Sequence, residues 1–205
     1  MKKVGIMGGT FNPVHQGHLI LAENAFEQVS LDEVLFMPSK NPPHKSKKEI
    51  LSQEHRCNMV KLAIRNNPHF NLSMVEIERE GTTYTADTLT LLTKEHPDSQ
   101  YYFIVGADSL FMMQDWMEPQ TVFNHCIILV ARRDHMNVDE LERQSSYLKE
   151  TYGARIILLD MPTIDISSNL IRDRLSQNKT VRYYVPEDVI TYITKNNLYD
   201  SLPEE

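Results

Sequence analysis

Residues 8–18 read GGTFNPVHQGH, and they follow the apolar run Val4-Gly5-Ile6-Met7 directly. An apolar run that gives way to glycines and then to a helical pattern predicts a strand, a tight turn and a helix. After Gly17-His18, apolar Leu19, Ala22, Phe26 and Val29 recur at steps of three and four, with Glu23, Glu27 and Gln28 between them. Gly8 and Gly9 allow the backbone to approach a ligand, Pro13 restricts the turn, and His15 and His18 share one side if the helix begins beside them. A helix amino terminus beyond the carboxyl end of a strand presents unpaired N–H groups and a partial positive charge, so phosphate is the expected guest.

The stretch is neither the G-x-G-x-x-G dinucleotide fingerprint nor the G-x-x-x-x-G-K-S/T phosphate loop, because the spacing fails and no Lys follows the glycines. A metal role for the two histidines is disfavoured, since no Glu stands between them as in H-E-x-x-H and no third ligand is near in sequence.

Working outward, β-branched and aromatic runs occupy residues 3–7, 33–37, 70–77, 100–105, 126–131 and 155–159, with helical patterns between most of them. Parallel strands need crossovers of a dozen or more residues, and these are right-handed. The expected fold is therefore α/β: a Rossmann-like, doubly wound parallel sheet with helices on both faces. A second helix is expected after Ser52, a third from about Thr85, and a last pair over 168–177 and 186–196, with Pro186 at a helix start. The Pro- and Lys-rich stretch 37–48 reads as an exposed loop, and the acidic tail 200–205 as frayed.

The 205 residues suit a single domain, with a small helical part from about residue 166. A formal net charge of −7 leaves no electrostatic footprint for nucleic acid. Cys57 and Cys126 lie far apart outside any CxxC pair and read as structural. No apolar run approaches the ~20 residues of a membrane span, and the start of the chain lacks a signal-peptide pattern. The expected location is the cytosol.

Near the carboxyl end stands a second motif, ISSNLIRDR, residues 166–174. Ser167 or Ser168 can cap a helix that contains Arg172, which directs amides, hydroxyls and a guanidinium at one anion.

Together the two motifs resemble the bacterial nicotinate-nucleotide adenylyltransferases, whose superfamily carries an HxGH box and a distal ISSTxxR box. Here the boxes read His15-Gln16-Gly17-His18 and Ile166-Ser167-Ser168-Asn169-Leu170-Ile171-Arg172, with Asn169 in place of Thr. The similarity continues through NPPHK (41–45), EREGTTYTADTL (78–89), FIVGADS (103–109), Trp116 and VPEDVITYITKNNLY (185–199). It implies an enzyme in which the phosphate of nicotinate mononucleotide attacks the α-phosphorus of ATP and pyrophosphate leaves, with Mg2+ accompanying the nucleotide. By resemblance His15, His18 and Arg172 are catalytic. Gly8, Gly9, Thr10, Phe11, Gly106, Asp108, Ile166 and Ser167 would bind ATP, although Phe11 fits the core equally well.

For the acceptor, the resemblance implies Trp116 against the pyridine ring and the Tyr84-Thr85 helix start against its carboxylate, with Lys45 and Arg133 as candidate contacts to the acceptor phosphate or the product. Phosphopantetheine is the rival acceptor, and a non-catalytic nucleotide-binding module is the rival from another class. Length and the stretch 78–89 favour nicotinate mononucleotide. The oligomeric state is open, a homo-oligomer included.

Overall fold

The computed structural model describes residues 1–40, 50–131, 138–162 and 164–199. Its sheet has six parallel strands in the order β3-β2-β1-β4-β5-β6. These are β1 (Lys2–Gly9), β2 (Glu33–Pro38), β3 (Phe70–Leu72), β4 (Ser99–Gly106), β5 (Cys126–Ala131) and β6 (Arg155–Leu159). The helices are α1 (Gln16–Val29), α2 (Gln53–Ile64), α3 (Val75–Glu78), α4 (Thr85–Glu95), α5 (Ala107–Met112), α6 (Pro119–His125), α7 (Val138–Tyr152), α8 (Ser168–Ser176) and α9 (Glu187–Lys195). This is the expected doubly wound fold.

The order runs outward from β1 in both directions, so the crossovers after β1 and after β3 leave in opposite directions. A crevice must open where they part, beyond the carboxyl ends of β1 and β4.

The strand period of two sorts the core into two layers. Val4 and Ile6 of β1, Tyr101, Phe103 and Val105 of β4, and Ile128 and Val130 of β5 join the layer that holds Leu89 of α4, Leu110 of α5, Phe123 of α6 and Leu148 of α7. Met7, Tyr102, Ile104 and Leu129 face the other layer, with Ala22 and Ala25 of α1, Met59 and Val60 of α2, Ile171 of α8, and Val189 and Ile193 of α9. Both cysteines are free and buried. Burial raises the Cys126 thiol to about 12, which keeps it inert.

Two local outcomes differ from the sequence expectation. The strand expected over 70–77 stops at Leu72, and Val75–Glu78 forms a single helical turn instead. Val75 and Ile77 carry β propensity, yet tertiary packing overrides it. Helices α5, α6 and α7 are not singled out by the sequence pattern. The first two are short, and α7 buries little besides Leu141, Ser145 and Leu148 among charged residues. The 37–48 loop lies mostly, and the tail wholly, outside the described residues.

Within β1, Gly5 is a packing requirement. A Cβ there would stand 2.8 Å from Leu31 Cδ1 and 3.2 Å from both Ile104 Cδ1 and Val34 Cγ2. Gly5→Ala is expected to cost about 1–3 kcal/mol by overpacking, measured by urea unfolding. Leu31→Ala in the same chain vacates that space, so the double variant should be more stable than the sum of the two single losses predicts.

Candidate active site

The turn after β1 is set by its own hydrogen bonds. Residues Asn12 and Pro13 are joined by a cis peptide, Phe11 has φ 50°, and His15 is extended (φ −147°, ψ 170°) as the N-cap of α1. The His15 amide donates to Nδ1 of His18 at 3.2 Å. Because Nδ1 accepts that hydrogen, the neutral His18 ring carries its proton on Nε2 and is a donor there. The His15 ring lies over the His18 ring with centroids 3.7 Å apart. It is 6% exposed, and its Nδ1 is buried without a hydrogen-bond partner. Burial lowers the His15 pKa to about 4, so this imidazole is neutral at physiological pH.

Gly17 makes this stacking possible. A Cβ on Gly17 would sit 3.1 Å from His15 Nδ1, 3.2 Å from His15 Cε1 and 3.5 Å from the Ile166 carbonyl. From below, the edge of the Phe11 ring meets His18 at 5.0 Å, and that ring also touches Phe36. The Phe11 side chain is thus core, at 1% exposure, and it props His18 instead of lining the cleft.

A cleft of about 430 Å³ opens at the predicted crevice. Gly8 and Gly9 at the end of β1, His15, Gly17 and His18 at the start of α1, and Gly106 and Asp108 beyond β4 share its wall with Thr85 and Trp116. Trp116 is half-buried with its ring edge-on to Phe103 at 6.0 Å. Tyr84 is the N-cap of α4, and its carbonyl accepts the Thr88 amide. Neither α1 nor α8 has an acidic side chain in its first turn, so the positive ends of both helices are uncompensated by their own residues. In α4 the first-turn Asp87 is engaged by Arg79 at 3.2 Å.

The second motif is tied to the first across the fold. Ser167 caps α8 by accepting the Leu170 amide at 3.1 Å, which decides between the two serines. Ser168 instead donates to the Pro13 carbonyl at 2.9 Å. Arg172 donates to the Asn12 carbonyl at 3.1 Å and to Asn169 Oδ1 at 2.9 Å, so the residue that departs from the superfamily pattern orients the guanidinium. Thr10, Ile166, Ser167 and Arg172 are not among the residues that line the cleft: Thr10 directly follows the lining Gly9, the Ile166 carbonyl faces Gly17, and Ser167 and Arg172 belong to the cap and body of α8. Lys45 and Arg133 lie outside the described residues.

Sequence reasoning missed several neighbours. Ser39, Glu76, Thr83, Met161, Pro162 and Ile164 also line the cleft. Burial pushes the Glu76 carboxyl up from its ordinary range, against a hydrogen bond from Thr88 Oγ1 at 3.1 Å that favours its charged form. Asn12 is buried within the quoted motif, where its Oδ1 accepts from the Leu51 amide and the Tyr199 hydroxyl. No Lys or Arg among the described residues lines the cleft; its donors are imidazoles, hydroxyls and backbone amides.

The cytidylyltransferase-like family model matches residues 6–174, which span both motifs. A probable nicotinate-nucleotide adenylyltransferase of Lachnoclostridium phytofermentans is 48% identical over 97% of this chain and 100% of its own length. The nicotinate-nucleotide adenylyltransferase of Bacillus subtilis is 38% identical over 98% of this chain and 100% of its own. Among solved structures, Plasmodium falciparum nicotinic acid mononucleotide adenylyltransferase complexed with NaAD superposes with a TM-score of 0.82 at 22% identity, each chain covered in full, which supports the fold. No helix among the described residues is long and apolar enough to cross a membrane. With both motifs in place and full-length relatives at this identity, the chain belongs to the nicotinate-nucleotide adenylyltransferases of the cytidylyltransferase-like family.

Proposed function

We propose that this enzyme transfers the adenylyl group of ATP to nicotinate mononucleotide, giving nicotinate adenine dinucleotide and pyrophosphate, in the cytosol. One observation carries the reading. A neutral imidazole pair at a helix start shares a cleft with an indole and a second helix start, which suits two phosphates at one end and an aromatic ring at the other.

The phosphate oxygen of the acceptor forms a bond to the α-phosphorus of ATP, and the bond from that phosphorus to the bridging oxygen breaks. The nucleophile is already an anion, so no general base is needed. The barrier lies in bringing two anions together and stabilising charge on the departing pyrophosphate. In this reading the His18 Nε2–H and the first amides of α1 donate to the phosphates of ATP. A neutral His15 keeps His18 in place without competing for its proton. Ser167, the N-cap of α8, and Arg172, within α8, receive the β and γ phosphates. Gly106 and Asp108 border the ribose and adenine.

Magnesium suits such a wall. The imidazole, hydroxyl and amide donors of the described wall would hold the phosphates, and an Mg2+ carried in on the polyphosphate, bound chiefly through phosphate oxygens and water, would add neutralising charge. Trp116 would stack on the pyridine ring, and the amides of Thr85 and its successors would take the carboxylate. The Arg79–Asp87 pair removes the repulsion that Asp87 would otherwise exert there.

Pyrophosphate release from ATP and Mg2+ tests the acceptor when nicotinate mononucleotide, nicotinamide mononucleotide and phosphopantetheine are offered separately. Preference for the first is expected. Release with phosphopantetheine alone would overturn the acceptor, and ATP binding without release from any of the three would favour a non-catalytic module. His18→Ala is expected to lower kcat on the order of 10² to 10³, the scale for one lost transition-state donor. Near-normal kcat in that variant would remove His18 from the reaction.

A further inference from the structure

Arg56 is the largest fully buried side chain among the described residues, at 1% exposure in the first turn of α2. Its three nitrogen atoms each donate to a carbonyl. Nε reaches Leu51 at 3.2 Å, Nη1 reaches Thr10 at 2.7 Å and Nη2 reaches Ser39 at 2.7 Å. Thr10 directly follows Gly9, and Ser39 directly follows β2. Gly9 and Ser39 both line the cleft, and the Ser39 amide donates to the Gly9 carbonyl at 2.9 Å. The guanidinium therefore sits one carbonyl behind the anion-facing edge of the sheet.

No carboxylate of a described residue forms an ion pair with Arg56. Among the described residues the side chains that influence its charge are those of Cys57 and Tyr199, and burial raises the pKa of both, which keeps them neutral at physiological pH. An arginine stays protonated in a protein even when burial pulls its pKa down, as it does here. A buried charge without a counter-charge is strongly unfavourable, and carbonyl dipoles offset only part of that cost. A purely structural clamp between three carbonyls needs no net charge. Retaining one beside the cleft is explained if an anion completes it.

We infer that Arg56 is a positioning residue of the transfer reaction: its forked guanidinium locks the ends of β1 and β2 into one phosphate-facing edge, and the substrate phosphates supply the negative charge that no described residue gives it. A planar fork holds several carbonyls in a fixed geometry that a lysine cannot reproduce, while lysine preserves the charge. Geometry and charge are therefore separable by substitution.

The inference rests on a phosphate-binding cleft, whatever the acceptor, so the tests use ATP kinetics and inorganic tripolyphosphate as the probe. Wild type, Arg56→Lys and Arg56→Met are compared by circular dichroism for folding, by kcat and KM for ATP, and by Tm with and without tripolyphosphate. In Arg56→Lys, kcat/KM for ATP should fall about 10- to 100-fold, as expected for lost positioning. Most of the tripolyphosphate-induced rise in Tm should survive there, because the charge remains. In Arg56→Met the rise should shrink to less than half that of wild type. If Arg56→Met does not fold, the wild-type and lysine arms decide. Folded variants with kcat/KM for ATP within threefold of wild type and a lowered Tm alone would reduce Arg56 to a structural clamp. A wild-type Tm that does not respond to tripolyphosphate would remove the counter-charge. Failure of the acceptor assignment would appear separately, as wild-type inactivity with nicotinate mononucleotide while the tripolyphosphate response persists.

Discussion

The hydrogen bond from the His15 amide to Nδ1 of His18 is the constraint on which the cleft depends. It occupies a free donor at the helix start, selects the tautomer that leaves a proton on Nε2, and sets His18 directly under His15. Each neighbouring choice serves that arrangement. Gly17 leaves room for the upper ring, Phe11 supports the lower one, and the end of β1 places both at the point where the sheet reverses its winding.

The charge logic follows from the same geometry. Among the described residues the cleft wall carries imidazoles, hydroxyls and helix ends but no Lys or Arg, whereas Arg56 stands behind the ends of β1 and β2 and Arg172, within α8, is held against the Asn12 carbonyl. Fixed dipoles at the surface and charge behind them stabilise developing negative charge without a side chain that must reorganise during the reaction. The fastening runs far along the chain. The Asn12–Pro13 turn is gripped by Arg172 and Ser168 from α8 and by Tyr199 near the end of the described chain, so the two motifs are hydrogen-bonded to each other although they are separated by most of the sequence.

Much of this architecture is legible in the amino-acid sequence. The six apolar runs locate the strands, and the Leu19-Ala22-Phe26-Val29 rhythm locates α1, because burial on one face leaves a period in sequence. The motif histidines announce themselves by standing three apart at a strand-to-helix turn. Residues 75–78 mislead, since a short β-branched run is compatible with either structure until packing chooses. Arg56 leaves no signal at all, because a charged residue on a helix ordinarily reads as solvated and only the fold shows it closed in by three carbonyls. Glu76 and Ser39 are equally silent; their place in the cleft depends on where β2 and α3 end relative to β1.

The central claim is that a neutral, packing-locked histidine pair presents a donor to the phosphates of ATP. Nitrogen-15 NMR of the imidazoles as a function of pH, without and with ATP, tests it most directly. The account predicts a His18 ring protonated on Nε2, a His15 ring that stays neutral until the pH falls to about 4, and His18 nitrogen shifts that move when the nucleotide binds. A His15 that titrates near the ordinary value of about 6.5, or a neutral His18 that carries its proton on Nδ1, would contradict it.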